Sequence, residues 1–127
     1  ATPAGGTKSL YSLRGKVVLL DFWAAWCKPC RLENPNIVRV YNKYKKNGFT
    51  VFGVSLDRTK EDWVKAIKDD DLTWDHVSDL KYFSSEAAKL YQINAIPSSF
   101  LLDQEGKVIA RNLRGRALEE KLEELFN

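Results

Sequence analysis

Two cysteines, the chain's only two, stand two residues apart in Asp21-Phe22-Trp23-Ala24-Ala25-Trp26-Cys27-Lys28-Pro29-Cys30. They sit where an apolar run, Val17-Val18-Leu19-Leu20, gives way to a helical pattern. Backbone N–H groups at a helix start carry partial positive charge, so a thiolate there is stabilised. A stabilised thiolate beside a second thiol can exchange electrons through a disulfide. Cys27, at the helix start, is the expected attacking thiol and is expected to be exposed, with Lys28 adding a nearby positive charge. Cys30, one turn in, is expected to be less exposed and to resolve the mixed disulfide. Pro29 needs no N–H at a helix start. A Cys27–Cys30 bond closes too short a loop to restrict the unfolded chain much, which disfavours a purely structural disulfide.

Two acids can serve this dithiol. Asp21 ends an apolar strand beneath the turn, where partial desolvation would raise its pKa and let it take the Cys30 proton and return it. Glu33 lies one turn along from Cys30 on the same helix, close enough to couple electrostatically; a solvent-facing Glu is the competing reading. Trp26 is expected at an exposed apolar lip and Trp23 below it. Trp63 and Trp74 are read as packing residues, and the single histidine, His76, as a packed or surface imidazole rather than a ligand or base.

Other chemistries fit poorly. A structural zinc site needs four ligands, and two cysteines supply half of one. Haem attachment needs His after the second Cys, where Arg31 stands. No metal and no cofactor is expected beyond the redox-active Cys27–Cys30 pair. Twenty basic residues against seventeen acidic give a net charge of +3 with no basic stripe, so no nucleic-acid partner is expected. No apolar stretch approaches the roughly 20 residues of a membrane span. The start, Ala1-Thr2-Pro3, has no initiator Met and reads as that of a domain from which an upstream segment has been removed.

The elements that must position these residues follow from the pattern. Residues 1–8 read as a loose tail and 9–127 as one domain. Lys16–Phe22 is a strand buried on both faces. A helix over Cys27–Lys46 carries Cys30, Ile37, Val38, Tyr41 and Tyr44 inward and is kinked at Pro35, and Asn47-Gly48 stops it. Phe49–Leu56 is a second strand, parallel to the first through a right-handed crossover. Thr59 caps a helix that ends in Asp69-Asp70-Asp71, a solvated loop. A short strand over Trp74–Val77 and a helix capped by Ser84 or Ser85 come next. Ser98–Leu102 and Lys107–Ala110 make a hairpin about Gln104-Glu105-Gly106. A last helix over Arg116–Phe126 shows an apolar stripe of Leu118, Leu122, Leu125 and Phe126. This order gives an α/β fold with a mixed sheet and helices on both faces.

Asp-Phe-Trp-Ala-x-Trp-Cys-x-Pro-Cys at 21–30 closely resembles the active-site segment of thioredoxins, and Ile96-Pro97-Ser98 resembles the loop that carries their cis-proline. The resemblance implies a thioredoxin-like three-layer α/β/α sandwich, with an inserted helix and strand between the second strand and the cis-proline. Within that superfamily the chain resembles the TlpA/ResA-type thiol–disulfide oxidoreductases. The length of the insertion, the lead-in Ser9–Val18 and the acid at Glu33 carry that likeness. Asp21 departs from it, since many such sequences carry Asn there. The resemblance further implies that Pro97 is cis and faces the dithiol, and that the Ile96 backbone is free to pair with an extended substrate. It implies a monomeric domain, soluble in itself, that is secreted or tethered to a membrane and faces the bacterial periplasm.

The implied activity is reversible exchange with disulfides of partner proteins, as a reductant, with a separate thiol electron donor upstream. A redox-inactive or redox-sensing binding module and a general cytosolic thioredoxin are the competing assignments. A peroxidase is disfavoured because Trp-Ala-Ala-Trp precedes Cys27.

Overall fold

The computed structural model describes residues 1–126. Five strands, β1 (Val17–Trp23), β2 (Phe49–Ser55), β3 (Asp75–Ser78), β4 (Ser98–Leu102) and β5 (Val108–Arg111), alternate with four helices. These are α1 (Lys28–Tyr44), α2 (Lys60–Asp69), α3 (Glu86–Leu90) and α4 (Gly115–Phe126). The strands form one sheet ordered β3-β2-β1-β4-β5. β1 pairs parallel with β2 and antiparallel with β4, so the expected mixed sheet is present with β1 at its centre.

Side chains of a strand alternate between the two faces of its sheet. In β1, Val17, Leu19 and Trp23 pack with Ile37 and Val40 of α1, Trp63 and Ala66 of α2, and Leu118 and Leu122 of α4. Val18, Leu20 and Phe22 turn the other way, onto Ala88 of α3, Ile93 and Leu13. Two apolar cores thus sandwich the sheet. Leu118 and Leu122 have no exposed surface, which corresponds to roughly 2 kcal/mol of burial for each.

Asp21 falls between Leu19 and Trp23, on the face that alternation turns toward α1. Its backbone lies opposite Gly53 of β2 and Ser99 of β4. Nothing local marks this position as special; the strand buries whatever residue stands there.

Several boundaries differ from the sequence expectations. α1 ends at Tyr44, and a 3₁₀ turn over Lys45–Asn47 precedes Gly48, whose φ of 99° closes the element. Val40 and Asn34 are buried on α1, whereas Val38 and Tyr41 are only half-buried. Pro35 lies inside α1, where it leaves the carbonyl of Arg31 without an intrahelical donor. Leu125, expected on the inner stripe of α4, is 39% exposed, while Phe126 stacks on Tyr44 at 5.5 Å. The opening residues are not wholly loose: Ala1 exchanges two hydrogen bonds with Ser78 at the end of β3, at 2.9 and 3.0 Å.

The Asp69–Asp71 run is also more than a solvated loop. Asp69 pairs with Lys65, and Asp70 accepts from Arg31 and Asn34 of α1. Of the packed and surface positions left open for His76, the fold gives the packed one. Its Nε2 lies 3.0 Å from the Leu72 carbonyl, its ring stacks on Trp74, and burial pushes its pKa down to about 4.

Candidate active site

β1 ends at Trp23 and α1 begins at Lys28, so the Cys27–Cys30 pair sits at the carboxyl end of the central strand. Cys27 is the N-cap of α1: its Sγ accepts from the Cys30 N–H at 3.3 Å, and the two sulfurs are joined as a disulfide. The donor that caps the sulfur here is also placed to stabilise a Cys27 thiolate once the bond is reduced. Pro29 occupies the first turn, where its missing N–H leaves nothing unpaired. Lys28 is exposed beside it.

One expectation fails at this point. Cys27 is only 4% exposed, little more than Cys30 at 2%. In the disulfide form its sulfur is bonded inward to Cys30, and Cys27 belongs to the same apolar cluster as Trp23 and Ala24.

Asp21 is 5% exposed, and its pKa is raised to about 7. Burial is the main cause, the neighbouring Glu33 adds to it, and Arg114 opposes it. A cleft beneath the dithiol is lined by Asp21, Cys30, Glu33, Pro97, Ser99 and Arg114, among others. Its free volume of about 10 Å³ is close to that of a single water. Glu33 is half-buried, and its Oε2 accepts from the Gly115 N–H at 2.8 Å and the Asn36 side chain at 2.9 Å. It therefore also ties α1 to the first amide of α4, a job the sequence did not reveal.

The Ile96–Pro97 peptide is cis. Pro97 shares the cleft with Cys30. Among the described residues neither backbone group of Ile96 has a hydrogen-bond partner. Arg114 reaches from the start of α4 to the Pro97 carbonyl, at 3.4 Å.

On the other flank Trp26 is 51% exposed and packs against Tyr82, with ring centroids 5.4 Å apart. Arg58 also lies over Tyr82, its guanidinium 4.1 Å from the ring centre. The lip at Trp26 thus combines an indole, a tilted phenol and a guanidinium over the phenol. Tyr82 and Leu80 both hold a positive φ, 56° and 59°, a strained backbone for bulky residues. Sequence reading missed Tyr82, Arg58, Asp57 and Arg114, all brought to the site by long-range packing. Among the described residues no cluster of three or more His, Cys, Asp or Glu is placed to hold a metal ion, and no helix is long and apolar enough to cross a membrane.

A mixed sheet with a CxxC at the end of its central strand and a cis-proline across from it defines a thioredoxin-like domain with a dithiol centre. Comparison with known proteins gives the same class. The AhpC/TSA family model matches residues 1–111, and the chain belongs to that family. It is similar to the thiol-disulfide oxidoreductase ResA of Bacillus thuringiensis subsp. konkukian, at 36% identity over 91% of this chain and 64% of the relative. The chain thus spans about two-thirds or less of the length of the curated relatives it matches. Among solved structures, the thioredoxin domain of a thiol-disulfide oxidoreductase from Bacteroides vulgatus superposes with a TM-score of 0.91 and 41% identity, covering 99% of this chain and 90% of that one. A thiol-disulfide oxidoreductase from Bacteroides fragilis gives 0.82 and 46%, covering 88% and 82%.

Proposed function

We propose that this domain is a dithiol–disulfide oxidoreductase that reduces disulfides of partner proteins. The observation that carries the reading is the Cys27–Cys30 disulfide at the start of α1, with a buried acid of raised pKa lining the cleft under Cys30. The cycle starts from the reduced pair. The Cys27 thiolate attacks one sulfur of the substrate disulfide, forming a mixed disulfide and expelling the other substrate sulfur as a thiolate, which takes up a proton. Cys30 then loses its proton and attacks the Cys27 sulfur. The Cys27–Cys30 bond forms, and the second substrate sulfur leaves. Two electrons have passed from the dithiol to the substrate, and a thiol donor returns the pair to its reduced state.

Asp21 is the base for the second step. A group with a pKa of about 7 accepts and releases a proton near neutrality. The cleft that both the acid and Cys30 line has room for about one water. The unpaired backbone of Ile96 suits an extended substrate segment, which would add to the site by strand-like pairing. Trp26, Lys28 and Pro29 border the same mouth. The similarity to ResA supports an extracytoplasmic place of work. A second thiol two residues after Cys27 favours disulfide exchange over peroxidase chemistry as the main activity.

The test is a redox titration followed through tryptophan fluorescence in thiol buffers, together with turnover of a protein disulfide. A reversible two-electron transition near roughly −270 mV supports a reductant, and one near roughly −120 mV an oxidant. A Cys27→Ser, Cys30→Ser variant that keeps the biological role would make the domain a binding module.

A further inference from the structure

Ala25, two residues before Cys27, is held through both of its backbone polar groups by charged side chains. Its N–H donates to both carboxylate oxygens of Asp57, at 2.9 and 3.2 Å. Its carbonyl accepts from Arg31 Nη1 at 3.0 Å. Asp57 lies just beyond the end of β2 and is 1% exposed; its carboxylate also accepts from the Ser55 hydroxyl at 2.5 Å. Arg31 directly follows Cys30, and its Nε and Nη2 are locked onto Asp70 at 2.5 and 3.0 Å. Asn34 adds a third donor to Asp70 at 2.9 Å. The brace runs from β2 through the active-site turn to the end of α2.

A buried carboxylate carries a desolvation penalty that a neutral capping side chain would avoid. Here it is tied to the backbone of the reactive turn, and the proton route through Asp21 makes no use of it. The two acids lie on opposite flanks. Asp21 faces the cleft with Pro97, while Asp57 borders a groove with Trp26 and Asp62.

We propose that Asp57 and Arg31 are positioning residues that hold the Ala24–Cys27 turn in the geometry in which the Cys27 sulfur caps α1, and that they thereby set the dithiol's reduction potential. The proposal rests on the oxidoreductase reading above. The link is short. The Cys27 N–H donates to the Ala24 carbonyl at 3.2 Å, and the Cys27 carbonyl accepts from the Arg31 N–H at 3.0 Å. If the Ala25 peptide turns, Cys27 leaves the cap. Its thiolate then loses the Cys30 N–H and the helix start, and the reduced form loses stabilisation relative to the disulfide.

Asp57→Asn and Asp57→Ala separate position from charge. Both remove the charge, but the amide oxygen of Asn can still accept from the Ala25 N–H and hold the turn. Each variant is equilibrated with glutathione, and the pH midpoint of Cys27 alkylation is measured. The expected result is that Asp57→Ala is more reducing than Asp57→Asn by about tenfold in the equilibrium constant, about 30 mV for two electrons, with a higher alkylation midpoint. Arg31→Gln, which releases the other end of the peptide, shifts both readouts in the same direction as Asp57→Ala and stands in for it should that variant fail to fold. Equal values for Asp57→Asn and Asp57→Ala would overturn the clamp, whether both move with the charge or neither moves. A wild-type domain with no reversible transition would instead overturn the oxidoreductase reading itself.

Discussion

Glu33 raises the proton affinity of Asp21 across the cleft while its own carboxylate is held by the first amide of α4. One acid is fixed by a helix end, and the other is left to titrate. With Asp21 near 7, small changes at Glu33 move the pH at which the buried acid can act.

For Asp21, the expected outcome of an Asn replacement is a slow resolving step. The mixed disulfide with substrate accumulates, and turnover falls about 10²-fold, the ordinary scale for a lost acid–base group. The wild-type rate should bend with an apparent pKa near 7, and the Asn variant should lose that bend. Glu33→Gln, which removes a charge that raises the Asp21 pKa, moves the bend to lower pH. Rapid-quench measurement of the mixed disulfide between pH 5.5 and pH 8.5 checks all three; unchanged kinetics across that range in Asp21→Asn would remove Asp21 from the mechanism.

The same acid should show in stability. A carboxyl whose folded pKa lies above its unfolded value disfavours folding increasingly as pH rises from about 4 to about 7. From its value the full penalty is on the order of 4 kcal/mol. His76 runs the other way. Its folded pKa of about 4 lies below the usual 6.5, so its contribution is complete above pH 6.5 and is lost as pH falls toward 4. The two slopes offset in the wild type. Asp21→Asn is therefore expected to be more stable than wild type at pH 8 by a few kcal/mol, with the gain shrinking to nothing near pH 4. Urea unfolding at both pH values measures it, and an equal gain at both would contradict the assignment.

Gly53 lies opposite Asp21 on β2, and no side chain fits there. A Cβ would come within 2.7 Å of His76 Nδ1 and 3.3 Å of the Trp23 indole nitrogen. Gly53→Ala should destabilise the fold by about 1–3 kcal/mol, the ordinary penalty of overpacking. Thermal melting should register the loss, and His76→Ala in the same chain should recover part of it.

The Trp26–Tyr82–Arg58 cluster leads to a division between substrates. Tyr82→Ala removes the support of the indole without touching the thiols, so the KM for a protein disulfide should rise roughly tenfold. Exchange with a small disulfide should stay within about twofold, since such a molecule needs little of the lip. Parallel losses for both would place Tyr82 in turn geometry rather than in recognition.

Much of this arrangement could be read from local pattern. The apolar run of β1, the Pro29 position and the Thr59 cap all depend on near neighbours, and alternation from Leu19 to Trp23 is enough to bury Asp21. What the sequence hid lies at long separation. Asp57 meets Ala25 across 32 residues, Arg31 meets Asp70 across 39, and Glu33 meets Gly115 across 82. No periodicity encodes such pairs. The Asp69–Asp71 run illustrates the point: as a string it is three like charges, and in the fold its middle member anchors Arg31. Leu125 shows the converse, an apolar residue at helical spacing that the fold leaves 39% exposed while Leu118 and Leu122 are buried.

The near-complete burial of Cys27 in the disulfide form has a kinetic consequence. A reductant must reach the sulfur along the axis of the S–S bond, and little of Cys27 is open to such an approach. Small thiols are therefore expected to reduce the oxidised domain slowly, reaching the same equilibrium, and a donor that fits the mouth of the site to reduce it faster. Burial of this sulfur thus separates the rate at which the pair is reduced from the potential at which it comes to rest.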